Sequence, residues 1–117
     1  DAALSHETAL AAYDVCDIIS DSIHLTIPKE ARIRKAGNPW YRVHREGLDI
    51  TYVTWWEGMK IVTLPKAIEQ CIQDGTPTYL LRQAIDNGFA RGMIGAGQRE
   101  ELTGMLDSRE GRGRDGD

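Results

Sequence analysis

The sequence predicts an α+β domain: one helix, an antiparallel sheet of about four strands, then two or three helices packed on one face of that sheet. Three observations predict it. Apolar residues recur at helical spacing near the N-terminus, alternate with polar ones through the middle of the chain, and return to helical spacing beyond residue 64. The 117 residues suit one domain with a single core, and 41% apolar with 27% charged residues is the composition of a folded globule, not of a disordered or collagenous chain.

The first helix starts at Ser5, a suitable N-cap, and runs to about Asp14, with Glu7 in the first turn where the helix dipole favours an acid. Ala9, Leu10, Tyr13 and Cys16 line its buried side. The first strand covers residues 22–27, where Ile23, Leu25 and Ile27 alternate with Ser22, His24 and Thr26, and Pro28 stops it. The alternation predicts that the isoleucine and leucine side faces the core.

A turn-rich segment with Gly37, Asn38 and Pro39 leads into a second strand, 40–45, with Trp40, Arg42 and His44 on one side and Tyr41, Val43 and Arg45 on the other. Two further strands, 50–56 and 59–63, flank Glu57-Gly58, a hairpin turn in which glycine accepts positive φ. The middle of the chain thus reads as an antiparallel meander.

Pro65 opens a helix whose stripe is Leu64, Ala67, Ile68, Cys71 and Ile72, ended by Gly75. Thr76-Pro77 opens the next, with Leu81, Ala84, Ile85 and Phe89 on one face and Gly92 as its stop. A third, shorter helix buries Leu102, Met105 and Leu106 and is weakened by Gly104. Residues 1–107 form the single domain, and 108–117, without an apolar residue, form a flexible tail unless a partner orders it.

Composition excludes several functions. Cys16 and Cys71 lie among apolar residues without CxxC or Cys/His spacing, so both read as small buried residues and no metal site is expected. No apolar run spans a bilayer and no leader pattern is visible, which predicts a cytoplasmic protein that does not enter a membrane. The start at Asp1, a few residues before a helix, predicts the C-terminal part of a longer protein.

The net charge of −4 is unevenly spread. Residues 1–27 carry five acids and no Lys or Arg, whereas residues 28–48 carry Lys29, Arg32, Arg34, Lys35, Arg42 and Arg45 against Glu30 and Glu46. That basic stretch is either a solvated face or a surface for phosphate or an acidic partner.

No convincing catalytic constellation emerges. His24-x-Thr26 resembles half of the site of two-histidine phosphoesterases, which need a second such motif; the other strand histidine, His44, is followed two residues later by Glu46. The plain alternative places His24 and Thr26 on a polar strand face, with His44 as cross-strand partner. Asp49, Glu57 and Lys60 lack the Glu-x-Lys spacing of metal-dependent nucleases, because two intervening residues put acid and lysine on opposite faces of a strand. Ser5-His6-Glu7 reads as a helix start, since triad members come from distant positions. Gly92, Gly95 and Gly97 follow a helix, not the strand a phosphate loop requires.

The order of the segments carries a further signal. Leu4-Ser5-His6-Glu7-Thr8-Ala9-Leu10, then Ile23-His24-Leu25-Thr26-Ile27-Pro28-Lys29, a basic stretch, Val43-His44-Arg45, Gly58-Met59-Lys60-Ile61-Val62-Thr63-Leu64-Pro65 with Ile68, and Leu80-Leu81-Arg82-Gln83-Ala84-Ile85 with Arg91-Gly92 resembles the C-terminal domain of AbiEi-family antitoxins over residues 4–94. The resemblance implies a non-enzymatic domain, without cofactor, preceded by a winged helix-turn-helix. It also implies repression of the protein's own operon and antagonism of an AbiEii-type nucleotidyltransferase toxin in a type IV toxin–antitoxin system.

Two features depart from that pattern: Leu64 stands where threonine is common before the proline, and the chain is net acidic where the family has a positive face. Lys29, Arg32, Arg34, Lys35, Arg42, His44 and Arg45 are therefore the expected partner-binding residues, facing operator DNA beside the N-terminal reader or facing the toxin. A plain dimerisation module, associating through Trp40, Trp55 or Trp56, is the remaining alternative.

Overall fold

The computed structural model describes residues 2–31 and 39–115. It is α+β, as the periodicities predict, with strands β1 (Ala3–Leu4), β2 (Ile23–Ile27), β3 (Tyr41–Arg45), β4 (Val53–Trp56) and β5 (Met59–Val62), and helices α1 (His6–Tyr13), α2 (Leu64–Asp74), α3 (Thr78–Ala90) and α4 (Ala96–Asp115).

The sheet departs from the expected meander in strand number and direction. It has five strands in the order β3-β2-β1-β5-β4. β1 pairs antiparallel with β2 and parallel with β5, while β2 and β3 run parallel over the full register from Ile23 opposite Tyr41 to Ile27 opposite Arg45. Parallel neighbours need a long connection, and residues 28–40 supply one. β1 escapes detection because two residues are too few to show a period. Only β4 and β5 form the expected hairpin, turning through Glu57 at φ 48° and Gly58 at φ 80°. The expected strand over 50–56 is divided: Ile50–Tyr52 is a turn of 3₁₀ helix, started by the Asp49 carboxylate accepting from the Thr51 amide at 2.9 Å.

The aliphatic core lies between the β5 end of the sheet and the helices. Ile61, Val62, Leu10, Ala67, Ile68, Cys71, Leu81, Ala84 and Leu106 are all fully buried there. The α2 stripe occupies this core as its spacing requires, and Gly75, at φ 89°, ends the helix in the left-handed conformation that glycine accepts without strain. On α3 the inward position near the C-terminus belongs to Gly88, not Phe89. A Cβ at Gly88 would lie 2.6 Å from Ile94 Cδ1 and 2.8 Å from Leu64 Cδ2, so any larger residue here forces those two side chains to shift. Phe89 turns outward, and the Arg99 guanidinium stacks on its ring at 4.6 Å.

The expected tail over 108–117 begins inside a helix, since α4 continues to Asp115. Arg109 anchors it, donating to the carbonyls of Ile72 at 2.9 Å and Thr76 at 2.7 Å, which lie at the C-terminal end of α2 and just past it. Arg91 does the same for α1, donating to the carbonyls of Tyr13 at 2.7 Å and Asp14 at 2.8 Å. Two helix ends are thereby closed by distant arginines, a contact that local sequence patterns do not announce. Cys71 is buried and Cys16 partly so, and both are free thiols. No helix among the described residues is long and apolar enough to cross a membrane.

Candidate functional site

The polar teeth of β2 point inward. His24 and Thr26 are buried at 6% and 1% exposure, whereas Ile23 on the opposite face is 39% exposed. The alternation expected from the sequence is present with its faces exchanged. The helices lie over the histidine side: α1 and α2 pack on each other and α1 packs on β2, so this side becomes interior. Parallel pairing with β3 adds His44, opposite Thr26, to the same face.

His6 is the third member, and its backbone is set for the role. It stands at φ 53°, a conformation that costs a non-glycine residue about 1 kcal/mol or more. The Gln70 side-chain oxygen holds it there by accepting from the His6 amide at 3.2 Å. The chain's three histidines, one each from α1, β2 and β3, thus meet in one cluster. The His6 and His44 rings stack with centroids 3.6 Å apart, and His24 Nδ1 and His44 Nε2 share a hydrogen bond of 2.9 Å.

A line of hydroxyls supports the cluster from below. Gln70 Nε2 donates to Thr26 Oγ1 at 3.3 Å, Thr26 Oγ1 donates to Ser5 Oγ at 2.8 Å, and Ser5 Oγ lies 2.7 Å from His6 Nδ1. In that sense of the relay Ser5 donates to His6 Nδ1 and the ring proton sits on Nε2. Hydroxyl protons rotate, so the reverse sense, His6 Nδ1–H to Ser5 to Thr26, uses the same oxygens and bares Nε2.

Gln70 Nε2 also donates to Glu46 Oε1 at 3.0 Å, and the other Glu46 oxygen pairs with Lys66 Nζ at 2.6 Å. Burial pushes the Glu46 carboxyl up, but the hydrogen bonds from Lys66 and Gln70 outweigh it and hold the group below its ordinary range. Lys66 is 9% exposed; burial works against its charge, and Glu46 more than restores it.

All three imidazoles favour the neutral form. Burial, then the neighbouring His44, lowers the His6 pKa from 6.5 to about 4. Burial also depresses His24, with Arg42 adding to the effect, and depresses His44, with His24 and Arg42 adding. Outside the ring stack, the Glu7 carboxylate lies 4.0 Å from His24 Nε2. The nitrogens that the three rings can offer lie within 4.8 Å of one another, which makes the cluster the one group of potential metal ligands found among the described residues.

The expected partner-binding residues divide. Arg32, Arg34 and Lys35 lie outside the described residues. Lys29 and Arg42 are exposed. Arg45 bends back on its own loop, its guanidinium donating to the carbonyls of Lys29 and Ala31, and His44 faces the imidazole cluster. The sequence pattern reads His6 as part of a helix start. The available signal was that Ser5 and Thr26 stand one and two residues from a histidine, although their convergence depends on a topology the spacing does not specify.

No protein-family model matches the chain, and no curated protein matches it either.

Proposed function

We propose that this chain is the C-terminal domain of an AbiEi-type antitoxin, a non-enzymatic cytoplasmic module that counteracts a nucleotidyltransferase toxin and supports repression of its own operon. One observation carries the reading. The separate segments in which the resemblance lies supply the members of one buried network: Ser5 and His6 from the first, His24 and Thr26 from the second, His44 from the third, with Gln70 from the helix that the fourth opens. Segments that match in order and also converge on one interior belong together as a unit, which chance matches along a chain do not require.

The same geometry favours a binding module over a phosphoesterase. Ser5 is fully buried and Thr26 nearly so, each hydroxyl engaged by the other, and the direct His24–His44 contact leaves no gap between the imidazoles for a phosphate. Self-association through one tryptophan patch is less well supported. Trp40 and Trp55 are 69% and 67% exposed, but Trp40 precedes β3 and Trp55 lies on β4, at opposite edges of the sheet.

The surface proposed for the partner is the exposed pair Lys29 and Arg42 with Arg32, Arg34 and Lys35 of the connecting segment. Operator DNA phosphates beside the N-terminal reader, or an acidic face of the toxin, are its two occupants. Phosphate contact makes affinity fall steeply with salt, because each neutralised phosphate releases counterions.

The test is co-expression of this domain, with and without the DNA-reading segment proposed to precede it, beside the nucleotidyltransferase encoded in the same operon. Rescue of growth by the domain, lost on reversing Arg32, Arg34 and Lys35 to Glu, supports both the function and the surface. Failure of the longer protein to rescue overturns the function, and undiminished rescue by the triple reversal overturns the surface.

A further inference from the structure

We propose that His6, His24 and His44 form a binding site for one divalent first-row transition metal ion of the Zn2+ type. The inference stands on geometry and does not rest on the antitoxin reading. All three histidines of the chain are brought together from residues 6, 24 and 44, and their ligand nitrogens lie within 4.8 Å of one another. Three converging imidazoles select Zn2+, Co2+, Ni2+ or Cu2+ over Mg2+ and Ca2+, which prefer oxygen.

One pair of nitrogens is near the spacing an ion needs, and the His6 nitrogen closes in from within 4.8 Å. His24 Nδ1 and His44 Nε2 are already 2.9 Å apart. Around a tetrahedral ion with metal–nitrogen bonds of about 2.0 Å the same pair would sit about 3.3 Å apart, so they separate slightly while the His6 ring fans off the stack to bring its nitrogen in. A solvent water completes the tetrahedron, and His44, half-buried on the edge strand β3, is the ligand nearest solvent.

The groups behind the rings are those a metal site uses. Ligating imidazoles commonly hold their second nitrogen on a carboxylate, hydroxyl or carbonyl, which fixes tautomer and ring angle. Here the Glu7 carboxylate stands 4.0 Å from His24 Nε2, beyond hydrogen-bond length, while Nδ1 faces His44. Ser5 stands 2.7 Å from His6 Nδ1, leaving Nε2. Running the Ser5–Thr26 relay in the sense that places the proton on His6 Nδ1 bares that Nε2 without moving a heavy atom. The left-handed backbone at His6, held by Gln70, aims the ring into the cluster, a strained placement that an aliphatic core would not need.

The test titrates the metal-free 117-residue chain with Co2+, then displaces it with Zn2+. The expected result is one equivalent of Co2+ with the visible absorption of a tetrahedral ion, bleached by Zn2+, and at least a 10-fold weaker affinity in His44→Gln, whose fold is checked by circular dichroism. As His44 is half-buried on an edge strand, its replacement leaves the aliphatic core intact. A second readout needs no variant: the ring NMR signals of His6, His24 and His44 shift together on adding Zn2+. Absence of Co2+ and Zn2+ uptake by the wild-type chain, uptake undiminished in His44→Gln, or ring signals that do not move would each overturn the proposal.

Discussion

The interior has two regions built on opposite principles. At the β5 end of the sheet, Ile61, Val62, Ile68 and Leu81 fill space with aliphatic side chains that need contact and nothing else. At the β2 end, Ser5, His6, His24, Thr26 and Gln70 are equally withdrawn from water, and each polar atom must find a named partner at a set distance. The first region tolerates any packing of the right volume; the second has few acceptable arrangements, because a buried polar group without its partner costs about 1–3 kcal/mol. A polar interior of this kind is poorly suited to raising stability and well suited to holding three rings in one relation.

The contrast can be broken most strongly from the aliphatic side. Leu10→Ala removes a fully buried side chain between α1 and the core, and denaturant unfolding should show a loss of about 3 kcal/mol. Acid should break the other side. The His6 pKa in the folded chain, about 4, lies below its ordinary 6.5, so the unfolded chain takes up the proton first; stability is full above pH 6.5 and is lost as pH falls toward 4. In metal-free protein His6 alone should contribute about 2 kcal/mol to the loss between pH 7 and 5, and His6→Phe should reduce the slope to what the likewise depressed His24 and His44 supply.

Gln70→Leu sharpens the comparison with a change that is almost neutral in volume. It strips partners from the His6 amide, Thr26 and Glu46, and should cost about 1–2 kcal/mol in thermal or chemical unfolding, whereas a like-sized swap at Ile68 should cost less. The smallest effect belongs to neither region: Arg82→Ala removes the exposed 2.8 Å pair with Asp107 and should change stability by less than about 0.5 kcal/mol.

How much of this was legible can be argued from particular residues. The helices α2 and α3 were readable because an apolar stripe at 3.6 spacing has one sensible inside. The period of β2 was readable for the same reason, but its inside was not. Ile23, Leu25 and Ile27 obey the general preference for burying aliphatics, and that preference lost to tertiary placement, since α1 and α2 cover the side of His24 and Thr26. Strand direction was unreadable from pattern, because parallel and antiparallel partners show the same alternation. The site followed the topology: once β2 and β3 run parallel and β1 carries α1 to the edge of β2, the three histidines share a face, and nothing in their spacing of 18 and 20 residues states that.

β1 contributes only Ala3 and Leu4, yet among the described residues it is the hydrogen-bonded link between the β3-β2 pair and the β5-β4 hairpin. In terms of native-state opening, the sheet is two leaves on a two-residue spine. The leaves can therefore come apart as separate cooperative units, with the imidazole leaf shedding amide protection while the hairpin leaf, fastened to the aliphatic core, keeps its own.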